Sequence, residues 1–448
     1  MRKLVFLVPA ALLAGVYFYA QPAARTATGY GAKVLCSSVF VSGRTLESVV
    51  SEELGLDHPA AKLLRYSVDK SAGTASASIA GLFERKALYR PGLGCTLDSG
   101  VSIEELRLQQ HPEPAAEPQA EAAVAPSPMD AVLERAFAEP YPSSPLRTRA
   151  IVVMHRGSVI AERYAPGITQ TMRLQGWSMT KSITNTLIGI LVAKGKLDLH
   201  KPAPVPEWAS SGDPRHVITT DQLMRMSSGL KFQESYTDLR GDATVMLFRS
   251  PSAGAYAASL PLAYAPDSRW SYSSGTTNIL SRIVLQVLGG DVREYWRFAR
   301  KELFDRIGAP SVVMEPGPDG VFVGSSFMFA TARDWARLGQ LYLNDGVWNG
   351  ERILPEGWVK YSTTPTPKAP LGKYGAQLWL NAGEPGHAEK RDCPHMPADA
   401  FFFHGHEGQH VMVFPSLEAV VVRLGMTQGK KDWVEDEQVP PILAALPK

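Results

Sequence analysis

The chain has 448 residues, 45% hydrophobic and 20% charged, with a formal net charge of +2. That length suits roughly two or three domains, or one large domain with extensions, and the apolar share suits a globular protein with a sizeable core. Lysine and arginine are scattered, with no basic run interleaved with aromatics, so there is no electrostatic case for a nucleic-acid partner.

At the N-terminus, Arg2 and Lys3 precede an almost unbroken apolar run over residues 4–20. A basic end followed by an apolar stretch is the layout of a secretory signal. The run is slightly short for a spanning helix, but Tyr17 and Tyr19 would suit an interface if it served as one. Cleavage after Ala20 would leave bulky Phe18 where a small residue is usual. Residues 1–25 therefore read as either a cleaved signal or a retained anchor, with a buried core helix as the remaining alternative. Signal or anchor places the rest of the chain in the periplasm or cell envelope, and confines any membrane contact to this segment. An exported chain meets an oxidising compartment. Of the three cysteines, Cys36 and Cys95 bracket one short segment and form the expected disulfide. Cys393 is left over in a loop with proline and histidine.

Residues 30–108 read as a small α+β unit. A strand or strand start is expected at 34–41, a helix at 46–54, and strands at 64–68 and 74–82. Nothing in the unit points to a chemistry; a lid, a spacer or a brace are the roles open to it. Residues 109–128 are rich in Ala, Pro and Glu. They cannot bury apolar surface, their prolines keep them extended, and they read as a linker.

The larger domain spans 129–448. A helix at 130–137 leads to β-rich runs at 150–155 and 158–164, joined by the hairpin signal Arg156-Gly157. A long apolar helix opens at Gly176-Trp177-Ser178-Met179-Thr180-Lys181 and runs to about 194, with Gly195 as C-cap. Further helices are expected at 220–230, 276–288, 292–307 and 331–344. Strands are expected at 376–380, 401–405, 409–414 and 419–424. Strand pairs at both ends predict one sheet assembled from the two ends of the domain, with a helical insertion at about 200–325.

Three stretches carry possible chemistry. Ser178 and Lys181 are three apart, so a helix puts them on one face. A serine hydroxyl is a poor nucleophile until a base takes its proton, and an amine kept neutral by burial can do so. Taken alone, the pair is equally a helix cap and a solvated charge. Tyr272 lies in Trp270-Ser271-Tyr272-Ser273-Ser274-Gly275, a polar turn opening a helix. A lysine nearby would favour its phenolate and make it a candidate general base; otherwise it is a packed tyrosine. The stretch 403–409 ends one strand and turns into the next. Gly405 and Gly408 let backbone approach a ligand, and an N–H there could face a developing oxyanion. His404, His406 and His410 raise a metal site, but no acidic or cysteine ligand completes the set with convincing spacing. They read instead as strand and pocket-wall residues, and no metal is expected.

Ser178-Met179-Thr180-Lys181, Tyr272-Ser273-Ser274 and Phe403-His404-Gly405 stand in the order and rough spacing of the three motifs of serine β-lactamase-like hydrolases. The chain resembles the class C and family VIII esterase branch, near the 6-aminohexanoate-dimer hydrolases. The stretches 195–199, 223–230 and 330–337 also match. The resemblance covers about 130–448 and leaves 30–128 unexplained. It implies an α/β (α+β) fold like that of β-lactamases and penicillin-binding proteins: an antiparallel sheet flanked by helices, with an inserted, mostly helical domain. It carries over Ser178 as nucleophile, Lys181 as the activating amine and Tyr272 as general base and acid, with no cofactor. The backbone N–H groups of Ser178 and His406 carry over as the oxyanion hole. Trp177, Tyr236, Ser274, Phe403, His404 and Gly405 are the expected substrate-binding residues. Ser274 stands where class C enzymes have Asn. Phe403 stands where Lys-Thr-Gly motifs place a carboxylate-holding lysine, which favours the esterase and aminohexanoate-type relatives. The expected function is hydrolysis of a small ester or amide through a Ser178 acyl-enzyme. A D-alanyl peptidase or weak β-lactamase is the alternative among enzymes, and a non-catalytic envelope binding protein the alternative outside them.

Overall fold

The computed structural model describes residues 4–54, 63–110, 112, 117–141, 143–427 and 434–448, with side chains from Tyr17 onward. Helix α1 runs Leu4–Cys36 and continues directly into a π-helical turn, Ser37–Val41. The strand expected at 34–41 is therefore helical. Ser37, Ser38, Val39 and Val41 are all buried, and a helix buried all round has the same apolar run as a buried strand. A short helix α2 (Leu46–Val49) follows, capped by the Thr45 hydroxyl. Strands β1 (Leu64–Asp69), β2 (Thr74–Ile79), β3 (Leu82–Arg90) and β4 (Gly94–Leu97) form an antiparallel sheet in that order, with α1 packed on it. Helix α3 (Ile103–Leu108) completes the unit behind a Ser102–Glu105 capping box. Cys36 and Cys95 are joined in a disulfide, the expected pairing.

Two sequence expectations change here. Among the described residues no helix is long and apolar enough to cross a membrane, so the retained anchor finds no support. The boundary at residue 25 also falls inside α1, where Ala24, Thr26 and Thr28 are buried and Thr28 Oγ1 donates to the Phe83 carbonyl at 2.8 Å. The unit is not set apart from the larger domain either. Ala32, Val34 and Leu35 share one buried cluster with Leu247, Phe248 and Phe327. Lys33 makes a fully buried ion pair with Glu315, which also accepts from Ser37 Oγ at 2.9 Å and the Cys95 N–H at 2.6 Å. Residues 117–128 have almost no regular structure, as expected of a linker, but charge pins them down. Glu117 pairs with Arg173 at 2.8 Å, and Glu121 with Arg333 and Arg337 at 3.1 and 2.7 Å.

The larger domain begins with α4 (Met129–Ala136), then the hairpin β5 (Thr148–His155) and β6 (Ser158–Tyr164). After β7 (Leu174–Gln175) comes α5 (Thr180–Ala193). The helical region holds α6 (Thr220–Met224), α7 (Asp242–Phe248), α8 (Ala253–Ser259), α9 (Ser274–Val287) and α10 (Val292–Ala299). Strands β8 (Val313–Met314) and β9 (Met328–Ala330) pair with β7 in the order β7-β9-β8, which fastens the entry and exit of the helical region together. There follow α11 (Ala332–Leu343), the hairpin β10 (Val347–Trp348) and β11 (Glu351–Arg352), and α12 (Trp358–Thr363). The chain ends with β12 (Trp379–Leu380), β13 (Phe401–Gly405), β14 (Gln409–Phe414), β15 (Ala419–Gly425), α13 (Glu435–Gln438) and α14 (Pro440–Ala444).

The main sheet is antiparallel, in the order β12-β13-β14-β15-β5-β6, so its two ends come from opposite ends of the domain as the strand pattern predicts. Every residue of β15 is buried because both faces are covered. Val420, Val422, Phe401 and Phe403 face the α5 and α11 side; Val421, Met412 and Phe402 face α4 and α14. This alternation decides where each residue of β13 points.

Candidate active site

Ser178 stands at a tight junction. The Gly176 N–H donates to the Met328 carbonyl at 3.0 Å, tying the end of β7 to β9. The chain then makes a 3-10 turn, Trp177–Met179, and enters α5. Trp177 has a φ of 48°, in the left-handed region. That conformation costs a non-glycine residue about 1–3 kcal/mol and persists only where packing holds it. Here the indole is wedged against Phe327 and His406, with ring centroids 6.2 and 5.8 Å away, and its carbonyl accepts from Thr180 Oγ1 at 2.7 Å. The end of β13 presses on the same turn. A Cβ on Gly405 would lie 2.1 Å from the Gly176 carbonyl oxygen, so only glycine admits this approach, and it sets the His406 backbone beside the Ser178 turn.

Lys181 is 1% exposed. Its Nζ lies 2.9 Å from Ser178 Oγ, 3.0 Å from Ser274 Oγ and 3.1 Å from the Ser325 carbonyl. Burial pushes the amine down to about 8, although the negative charge of Glu234 pulls the other way. Tyr272 is the third member: Lys181 Nζ sits 4.9 Å from its ring centroid. The expected phenolate is not what the site favours. Burial, then Glu234, holds the Tyr272 phenol well above its ordinary value, so Tyr272 is a neutral acid at rest.

Glu234 is the residue the sequence reading passed over. Its carboxylate accepts from Ser274 Oγ at 2.6 Å, from the Ser274 N–H at 2.7 Å and from the Tyr236 hydroxyl at 2.7 Å. It therefore caps the first turn of α9, where a negative charge is favoured, and stands three hydrogen bonds from Ser178 through Ser274 and Lys181. The stretch containing it was in view because of Tyr236, but an acid in a polar loop looks solvated until the fold lays that loop over α9. Trp379 was missed as well. It packs on Tyr272 with ring centroids 5.2 Å apart.

Of the expected substrate-binding residues, Trp177, Tyr236 and Ser274 gather here with Gly405. Tyr236 stacks on His406 at 5.5 Å and lies 3.2 Å from Ser274 Oγ. Phe403 does not join them. It is wholly buried against Tyr342, ring to ring at 5.2 Å, because strand alternation turns it into the core. His404 faces the opposite side of the sheet. It stacks on His410 at 4.5 Å and meets the site only through Trp379, at 5.6 Å. Its side chain is 40% exposed, yet the protein packed around the ring and the neighbouring His406 push its imidazole down to about 4.

A half-buried serine and a half-buried phenol on either side of a buried amine, beside a glycine-permitted strand end, is an arrangement suited to acyl transfer. Comparison with known proteins agrees. Over 304 residues the chain is 26% identical to the 6-aminohexanoate-dimer hydrolase of Paenarthrobacter ureafaciens, covering 62% of this chain and 72% of that one. Its fold is similar to a putative 6-aminohexanoate-dimer hydrolase from Bacillus anthracis (TM-score 0.55, 21% identity, covering 71% and 80%). A family VIII carboxylesterase is similar in fold too (TM-score 0.51, 14% identity, covering 72% and 98%). The Beta-lactamase family profile matches residues 135–440, and the chain belongs to that family of serine hydrolases.

Proposed function

We propose that the protein hydrolyses small esters or amides through an acyl-enzyme on Ser178. The observation that carries this is the 2.9 Å contact between Ser178 Oγ and the buried Lys181 Nζ, an amine lowered to about 8. In the neutral fraction, Lys181 accepts the Ser178 proton as Oγ attacks the carbonyl carbon. The backbone N–H groups of Ser178 and His406 are the proposed donors to the oxyanion. Tyr272, a neutral phenol beside Lys181, gives a proton to the leaving alcohol or amine and recovers one from Lys181. In the second half, water loses a proton along the same pair and frees Ser178. Lys181 thus takes the basic role first expected of Tyr272, because burial lowers the amine and raises the phenol.

Substrates without a carboxylate beside the scissile bond suit this site. The core-facing Phe403 supplies no cation there, and Glu234 adds negative charge close to Lys181. Export remains part of the proposal. The basic-then-apolar N-terminal run and the Cys36–Cys95 disulfide support it. A fluorophosphonate probe should label the full chain at Ser178, and Ser178→Ala should abolish both labelling and p-nitrophenyl ester turnover. Undiminished turnover in Ser178→Ala refutes the mechanism.

A further inference from the structure

On the face of the main sheet away from α11, the hairpin β13–β14 places His404 directly opposite His410. Residues paired across two antiparallel strands share a face, so both imidazoles project to the same side. Helix α13, from the C-terminal segment, carries Glu435 over them. Glu435 Oε1 lies 3.1 Å from His410 Nε2 and 4.0 Å from His404 Nε2, and one ligand atom from each of the three residues falls within a 4.8 Å group. The sequence alone argued against a metal because no acidic ligand had convincing spacing to the histidines. The fold supplies that acid from a distant segment. It also removes His406 from the set, because that ring stacks on Tyr236 at the candidate active site.

We propose that His404, His410 and Glu435 form a site for one divalent transition-metal ion of the zinc class, separate from the hydrolytic machinery. Two nitrogens and one carboxylate oxygen are a ligand set zinc accepts, with water in the fourth position. Donors around a tetrahedral zinc stand about 3.4 Å apart, given bonds of about 2.0–2.1 Å. The His410–Glu435 separation of 3.1 Å is already close to this. The His404–Glu435 separation of 4.0 Å must contract by about 0.6 Å to reach it, and His404, with a side chain 40% exposed, is the ligand placed to swing and to admit water. Its ring must also tilt from its present stack on His410, where the two planes lie 21° apart. Arg423 is the opposing charge, beside His410 across the strand pair. Its guanidinium donates to the carbonyls of Gly408 and Leu146 at 2.7 and 2.6 Å, and Glu435 supplies the offsetting negative charge. An ion bound here would clamp α13 onto β13 and β14, next to Trp379.

The test uses tag-free full-length protein stripped with EDTA and returned to zinc chloride at neutral pH. Metal content is read by plasma mass spectrometry and affinity by competition with a chromophoric zinc indicator. The expected result is one zinc per chain, a melting temperature raised by zinc, and binding weakened at least about tenfold in both His404→Ala and Glu435→Gln. Both side chains are half-exposed, and circular dichroism checks that the variants fold. Absence of retained zinc in the wild type overturns the proposal and leaves the trio as a hydrogen-bonded clamp. Wild-type affinity in both variants also overturns it, because the zinc would then be adventitious.

Discussion

Glu234→Gln gives the sharpest test of how the site sets its base. The amide keeps one acceptor oxygen where the carboxylate uses two, so the perturbation is the loss of one negative charge together with one hydrogen bond accepted from Ser274. Burial lowers Lys181 from 10.5 to about 8, and Glu234 opposes that fall. With a value of about 8, roughly one amine in ten is neutral at pH 7; at the ordinary value it would be about one in three thousand. Below that inflection kcat/KM should therefore rise about tenfold per pH unit, then level off. Ser274 Oγ is 3.0 Å from Lys181 Nζ and 2.6 Å from Glu234, which puts the two charges at most about 5–6 Å apart. At an effective dielectric constant of about 20 they attract by about 3 kcal/mol, equal to about two pH units before solvent at the half-exposed Glu234 screens it. Removing Glu234 takes away an interaction that favours the ammonium, so the inflection should move down by about one to two pH units. The assay is kcat/KM for a p-nitrophenyl ester across the pH range, corrected for spontaneous hydrolysis, with the plateau rate read separately. An inflection that stays put or moves up in Glu234→Gln would show that Lys181 is not the titrating base.

Three further substitutions test the framework. Gly405→Ala would put a methyl 2.1 Å from the Gly176 carbonyl oxygen. Relief by shifting the Ser178 turn should cost about 1–3 kcal/mol in urea denaturation and cut kcat about a hundredfold or more; wild-type kcat would contradict the proposed oxyanion geometry. Cys36→Ser with Cys95→Ser opens a loop of sequence separation 59, worth about 4 kcal/mol by chain entropy; an unchanged denaturation midpoint would refute that. Lys33→Met leaves Glu315 buried without its cation and should cost about 3–5 kcal/mol, much of it recovered by Lys33→Met with Glu315→Leu; equal stability of the single and double variants would tell against it.

The sheet was legible because β5, β14 and β15 are buried on both faces and read as short continuous apolar runs bounded by turn residues. Ser178, Lys181 and Tyr272 were legible as neighbours because their motifs stand in the order and rough spacing of the resembled family, and the structure brings the three together. Where the reading went astray, local conformation or long-range contact decided. The strand expected at 376–380 shrinks to Trp379–Leu380 because Gln377 sits at φ 60°. The helix expected at 220–230 stops at Met224, with Met226 at φ 59°. Strands β7, β8 and β9 have two or three residues each and carry no period to detect. Glu234 looked solvated because its partners, Ser274 and Tyr236, meet it only after α9 is in place.

The N-terminal unit lies outside the family match, which begins at residue 135, yet two contacts connect it to Trp177, the residue before Ser178. Lys33 on α1 sits 4.2 Å from the Phe327 ring centroid while paired to Glu315. Phe327 packs on Trp177, and Trp177 holds the strained turn that presents Ser178. A lid would close over the site from the solvent side, and a spacer would share no core with the domain it holds at a distance. This unit does neither: its Ala32, Val34 and Leu35 lie in the same buried cluster as Phe327 and Met179. Of the three roles the sequence left open, the packing selects a brace. A turn whose left-handed residue costs about 1–3 kcal/mol needs such support. The disulfide secures it by fixing Cys36, at the end of α1, to Cys95, whose N–H donates to the same Glu315.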